Sequence, residues 1–324
     1  MAGTGNPLVP MILDVDTGVD DALALLLAVS HPQVELLGVT CVDGNAPLTD
    51  VVRNTLSVLS TAGAADVPVA SGAERPLIAD PSYAPHVHGQ DGMADLDLPA
   101  PTTRALEIHA VELIRKIVTQ ASEPVTLVAL APLTNLALLI RLYPRAAEKI
   151  GRIVLMGGAI ESGNATSTAE FNIWHDPEAA AIVFSSGLPI TMYGLDVFYR
   201  PRVSPAEIEE LAGSSAAPAR LAGRLLGHQA KNYVPVLGDA GAVVAAIAPA
   251  SLRTRQYPVH VELGGATTRG MTVVDRREWD GDRKHLTHRQ GSMIDVAVEL
   301  TGQDYVDVFM NTLVPERREA APRT

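Results

Sequence analysis

The sequence predicts an α/β fold, and three observations carry that expectation. Short apolar runs ending in Gly, Asp or Asn turns alternate with longer helix-forming stretches along the chain. At 324 residues and 47% hydrophobic, the chain can bury a substantial core, as one large α/β domain or two small ones. Four carboxylates cluster around residues 14–21, where the first strand hands over to the first helix. In an open α/β sheet, ligands bind at that carboxyl end of the strands.

The cluster reads Asp14-Val15-Asp16-Thr17-Gly18-Val19-Asp20-Asp21. Met11-Ile12-Leu13 closes a short buried strand, and the apolar run 22–29 favours a helix. Asp14 and Asp16 are expected on opposite sides of the strand and therefore in different roles. Asp16, Asp20 and Asp21 can converge across the turn. Crowded carboxylates repel one another, and a hard cation such as calcium or magnesium is the usual reason to assemble them. Helix capping accounts for Asp20 or Asp21, but not for Asp16 as well. An EF-hand loop beginning at Asp14 would need Gly sixth and Glu twelfth, where this chain has Val19 and Leu25. The strand-end Asp-x-Asp is a poor match to haloacid-dehalogenase-like phosphatases, because Gly18 stands where they carry Thr or Val.

A formal net charge of -12 argues against nucleic-acid backbones and anionic membranes as partners. The single cysteine, Cys41, excludes an internal disulfide and lies in an apolar strand, where it should be buried and inert. No signal-peptide pattern opens the chain and no apolar run reaches transmembrane length, so a soluble, cytoplasmic protein is the default expectation.

Residues 34–42 form the second predicted strand, closed by the turn Asp43-Gly44-Asn45. A helix over 48–59 and a short strand over 67–70 follow. Residues 73–104 are rich in Pro, Asp and Gly and lack periodicity; a loop of that length is more often functional or mobile than idle. It carries His86 and His88, too few ligands for zinc. Helix 106–118 should bury Leu106, Ala110, Leu113, Ile114 and Ile117 on one face. Strand 125–130 then runs into a helix opening at Pro132, and strand 153–158 ends in Gly157-Gly158. In 163–179, Glu170 with Asn164 and Asn172 among small and apolar neighbours suits a sugar, whose hydroxyls need donors and acceptors. Asp176-Pro177 opens a helix through Phe184, a junction that His175 joins. Strand 190–197, a helix over 204–226 entered through Ser204-Pro205-Ala206-Glu207, and an apolar helix after Asp239 come next. Strands 259–263, 270–274 and 293–300, a helix over 304–313 and a polar tail over 315–324 complete the chain.

Several motifs, in order, resemble the nucleoside hydrolase family, the inosine–uridine-preferring nucleoside N-ribohydrolases. They are Asp14-x-Asp16-x-Gly18-x-Asp20-Asp21, Gly44-Asn45, His88-Gly89, Ala131-Pro132-Leu133-Thr134-Asn135, Asn164 through Asn172, and Asp239. The resemblance implies a single doubly wound, mostly parallel open sheet over 1–324, with 73–104 as a mobile part over the site. It implies calcium-dependent hydrolysis of the N-glycosidic bond of a ribonucleoside, giving ribose and free base. Asp16, Asp21, Asp239 and the Leu130 carbonyl would hold the calcium, and Asp16 would be the general base. Asp20, Asn45, Asn164, Glu170, Asn172, Met156 and Asp239 would hold the ribose, with His88 and Tyr233 toward the base. The family is usually a homodimer or homotetramer.

One position departs. Many members place His before the last Asp, where it protonates the leaving base; here it is Gly238. Aromatic stacking of the base, an acid among Tyr233, His228 and the loop histidines, or a ribosyl-binding protein with little turnover would each accommodate that change. A metal-dependent phosphatase using Asp14 and Asp16 is the alternative from another enzyme class.

Overall fold

The computed structural model describes residues 8–279 and 292–320. Nine strands form one open sheet in the order β3-β2-β1-β4-β5-β6-β9-β7-β8. They are β1 (Val9–Val15), β2 (Val34–Cys41), β3 (Val69–Ser71), β4 (Val125–Ala129), β5 (Ile150–Met156), β6 (Ile190–Tyr193), β7 (Leu252–Val261), β8 (Thr272–Val274) and β9 (Ser292–Leu300). Every pairing from β3 to β9 is parallel, and β7 and β8 close that edge antiparallel.

Helices cover both faces, so β1 is buried on both sides and reads as a continuous apolar run. Met11, Leu13 and Val15 pack with the helices Val19–Ser30, Leu48–Thr61 and Asp239–Ile247. Ile12 packs on the other side with the helices Ala110–Gln120, Thr134–Leu142 and Pro177–Phe184. The helices Val19–Ser30 and Asp239–Ile247 are buried almost all round, which explains sequences with little amphipathic pattern. Cys41 lies inside, its thiol pushed up to about 12 by burial, consistent with an inert residue. Among the described residues no helix is long and apolar enough to cross a membrane.

Several predicted elements change, among them the strand expected over 259–263, which begins earlier and runs Leu252–Val261. Strand 190–197 stops at Tyr193; Gly194 caps a short helix, Leu195–Phe198, too brief to show periodicity. Helix 106–118 starts later, at Ala110, because the His109 ring accepts the Val111 N–H as cap, while half-exposed Leu106 pairs with Ala70 as a bridge. Helix 204–226 is two, Pro205–Gly213 and Ala217–Asn232, broken at extended Ser214; Pro218 suits a first helical turn and not an interior. The capping box of Ser204 and Glu207 forms as expected. The polar tail begins as a helix, Pro315–Ala320, docked by a bidentate Arg317–Glu210 pair, and 321–324 lie outside the described residues. Residues 73–104 also contain a helical turn, Pro85–His88.

Candidate active site

Strand order reverses between β1 and β4, and a cavity of about 560 Å³ opens beside their carboxyl ends. A reversal of that kind leaves a crevice in open α/β sheets. Asp14 is fully buried, its Oδ1 accepting from Thr40 Oγ1 at 2.6 Å and Asn135 Nδ2 at 2.8 Å. Burial pushes its carboxyl up to about 6. It does not line the cavity. Asp14 and Asp16 do play different parts, but the pleat is not the cause, since residues two apart in a strand share a face. β1 ends at Val15, so Asp16 belongs to the turn.

That turn is knitted by its own carboxylates. Asp21 Oδ1 accepts the Asp16 N–H at 3.2 Å, and Oδ2 accepts the Gly18 N–H at 3.0 Å and Asn45 Nδ2 at 3.2 Å. Asp21 thus caps the first helix from inside its first turn. Asp16 Oδ2 accepts the Asn45 N–H at 2.7 Å. A Cβ on Gly44 would fall 2.1 Å from that oxygen, so the Gly44-Asn45 pair is a condition for the contact.

Asp239 opens the buried helix Asp239–Ile247, which packs against the first helix, so their acidic N-termini meet. Carboxylate oxygens of Asp20, Asp21 and Asp239 lie within 4.8 Å of one another. This grouping takes in Asp20, where the sequence reading put Asp16. Asp16 Oδ1, Asp20 Oδ1 and Asp239 Oδ1 are buried without a hydrogen-bond partner. Burial, and after it the neighbouring aspartates, pushes Asp16 and Asp239 well above the ordinary carboxylate range and Asp21 up to about 7. Orphaned acceptor oxygens in a crowded acidic pocket fit a hard cation, and the oxygen-only donor set fits calcium or magnesium. The Leu130 carbonyl borders the cavity and accepts Asn172 Nδ2 at 2.8 Å, leaving its second lone pair.

Glu170 caps the short helix Phe171–His175: Oε1 accepts the Asn172 N–H, and Oε2 those of Gly158 and Ile173. Burial outweighs these bonds and lifts its carboxyl to about 7. Asn172 Nδ2 also reaches the Met156 carbonyl at 3.1 Å, and Asn164 Oδ1 accepts the Phe171 N–H at 2.9 Å. Asn45, Met156, Asn164, Glu170 and Asn172 all line the cavity with Asp20 and Asp239. Several of these groups, Glu170, Asn164 and Asn172 among them, also hold backbone, which no local sequence pattern reveals.

Residues 73–104 reach the cavity through Ser82 to His88. His88 Nδ1 accepts the Val19 N–H at 3.1 Å and burial lowers its pKa, so the neutral ring carries its proton on Nε2. Asp20 Oδ1 stands 3.8 Å from Nδ1, too far for a hydrogen bond. Among the described residues the group able to hold a metal ion consists of Asp20, Asp21 and Asp239.

The chain has only four Phe, two Trp and seven Tyr. Tyr83, Phe171, Trp174, Phe198, Tyr199 and Tyr233 line this one cavity. Of these, the sequence reading named only Tyr233; the scarcity of aromatics was the one usable signal for the rest. Tyr233 is half-exposed, and burial with Asp20 nearby holds its phenol well above the usual value. Gly238 has φ +56°, and a Cβ there would meet the Phe198 ring at 2.9 Å.

Residues 11–307 match the sequence profile described as "Inosine-uridine preferring nucleoside hydrolase". The chain belongs to this family. It is 40% identical over 313 residues to the pyrimidine-specific ribonucleoside hydrolase RihA of Enterobacter sp. (strain 638), covering 94% of this chain and 97% of the relative. A plant nucleoside hydrolase superposes with a TM-score of 0.87 at 27% identity, covering 95% of this chain and 99% of that one. A purine-preferring ribonucleoside hydrolase from Gardnerella vaginalis gives 0.84 at 29%, covering 96% and 100%. The activity of this nucleoside hydrolase is therefore N-glycosidic hydrolysis of ribonucleosides. The phosphatase alternative falls with that, and with Asp14 sealed away from the cavity.

Proposed function

We propose that this nucleoside hydrolase is calcium-dependent and prefers pyrimidine ribonucleosides. The observation that carries the metal is the trio of orphaned oxygens on Asp16, Asp20 and Asp239, of which Asp20 and Asp239 line the cavity and the fully buried Asp16 does not. Asp16, Asp21, Asp239 and the Leu130 carbonyl would hold the ion, with Asp20 adjoining. A bound calcium there would supply positive charge against the crowded carboxylates and would raise the acidity of a water.

The chain's own groups do the rest. Asp16 has one oxygen fixed by the Asn45 N–H and one free, so it takes the proton from the attacking water. Asp20, Asn45 and Asn172 hold the hydroxyl side of the ribose, and Asn164, Glu170 and Met156 the rest. As the bond to the base lengthens the sugar becomes oxocarbenium-like, and the surrounding carboxylates stabilise that positive charge.

For the leaving base, His88 is a better partner than Tyr233. A general acid works best with a pKa near the working pH, and the Tyr233 phenol is displaced away from it. His88 is neutral and offers Nε2–H, so it stabilises a departing pyrimidine by hydrogen bonding to its carbonyl oxygen rather than by full protonation. The pyrimidine preference rests on the 40% identical relative, named pyrimidine-specific. The family resemblance also supports a homodimer or homotetramer, with the 73–104 loop moving over the site.

The test is base release from uridine, cytidine, inosine and adenosine by wild type and His88→Ala. Release from uridine and cytidine, falling about 10²-fold in the variant, is the expected result. Purine-only release, or an unaffected variant, would remove the base preference or the His88 role respectively.

A further inference from the structure

Behind the aromatic wall lies a buried pair that no step above uses. His175 Nε2 stands 3.3 Å from Asp43 Oδ2, and both side chains are 1% exposed. His175 Nδ1 stands 3.1 Å from the Ser82 carbonyl, which can only accept, so Nδ1 carries a proton. Asp43 also faces Tyr83: after burial, its carboxylate is what holds the Tyr83 phenol above its ordinary pKa. The His175 ring packs on Phe171, centroids 5.6 Å apart. Ser82, Tyr83 and Phe171 line the cavity, whereas Asp43 and His175 stand one layer back.

We propose that Asp43 and His175 are positioning residues that hold Tyr83 and Phe171 as the nucleobase-facing wall of the cavity. The proposal rests on the nucleoside hydrolase reading of that cavity. A buried polar pair contributes little net stability, because desolvation offsets its attraction, while its contacts on Ser82 and Phe171 fix where those residues sit. The loop is fastened elsewhere without it, through Ala73 to Asn135, Leu77 to Asp176 and Ala84 to the Asn45 carbonyl. The pair therefore adds fixation where the two aromatic residues enter the cavity. It joins the turn after β2 to the helix that carries Asn172, so base wall and ribose groups share one frame.

The test compares wild type, the double variant Asp43→Ala/His175→Val, and Tyr83→Phe. Replacing both buried partners leaves neither unpaired, and the half-exposed Tyr83 site tolerates substitution whatever the double variant does. Dissociation constants are measured by calorimetry in calcium for free ribose and for whichever of uridine and inosine wild type binds more tightly. Uracil or hypoxanthine release is followed separately, so that a protein without turnover still yields the binding result. A rise of about tenfold in the nucleoside constant, with the ribose constant within about twofold, is expected of the double variant, and a smaller selective rise of Tyr83→Phe. Equal loss for nucleoside and ribose, or no change in either, would overturn the assignment.

Discussion

Gly238 and Phe198 share one space. A Cβ at 238 would lie 2.9 Å from Phe198 Cζ and 3.2 Å from the Asp20 Cβ, on a backbone with φ +56°. The His found there in many relatives would need both a different backbone and a smaller residue at 198. Gly238→Ala should therefore cost about 2 kcal/mol of stability, from backbone strain and the clash together. Adding Phe198→Ala to it should relieve the clash without relieving the strain. Urea unfolding of the single and double variants reads this, and a Gly238→Ala protein as stable as wild type would refute it.

The buried carboxyls make metal-free stability depend on pH with a definite sign. Asp14 lies near 6, and Asp21 and Glu170 near 7, all above their unfolded values of roughly 4. The folded chain then holds protons that the unfolded chain releases between about pH 4 and 7. That stability is complete below the unfolded values and is lost as pH rises through 6 to 7. In chelator, the unfolding midpoint should be lower at pH 8 than at pH 5. A higher midpoint at pH 8 would contradict the environment assigned to these carboxyls.

Asp239→Asn separates repulsion from metal binding. Removing one buried negative charge from the group with Asp20 and Asp21 should raise the melting temperature of the metal-free protein at pH 8. The same change should abolish the further rise that calcium is expected to give wild type. Calorimetric scans with and without calcium measure both. A variant that keeps the full calcium shift would take Asp239 out of the ligand set.

Asp16→Asn keeps size and most hydrogen bonding but cannot take a proton. Turnover should fall by about 10³-fold or more while nucleoside binding persists, as rapid-mixing and equilibrium titration would show. Near wild-type kcat in that variant would mean another group is the base.

Much of this site is written locally in the chain. Asp14 to Asp21 occupy one strand end and turn, and Asn164, Glu170 and Asn172 one loop and helix start, so short motifs expose them. The alternation of strands and helices likewise shows in apolar runs such as β1 and β4. What stays hidden depends on distant segments meeting. Tyr83, Phe171 and Phe198 come from three separate stretches, and only the folded sheet brings them to one cavity. Phe198 is hidden twice over, since 190–197 reads as one strand and the four-residue helix after Gly194 has no period to detect. Asp20 is named by its turn, but its meeting with Asp239 is not legible locally, because which aspartate of the turn faces Asp239 depends on how two helices cross.

A carboxylate cluster that works with a bound cation gripping the ribose diol has a direct signature in turnover. The most direct measurement is uracil release from uridine by protein stripped with a calcium chelator, then resupplied with calcium, with 2′-deoxyuridine in parallel. A cation-assisted mechanism gives loss of release on stripping, recovery with calcium, and a rate on the deoxynucleoside lower by about 10²-fold or more. Undiminished release from the stripped protein, or equal cleavage of uridine and 2′-deoxyuridine, would contradict it.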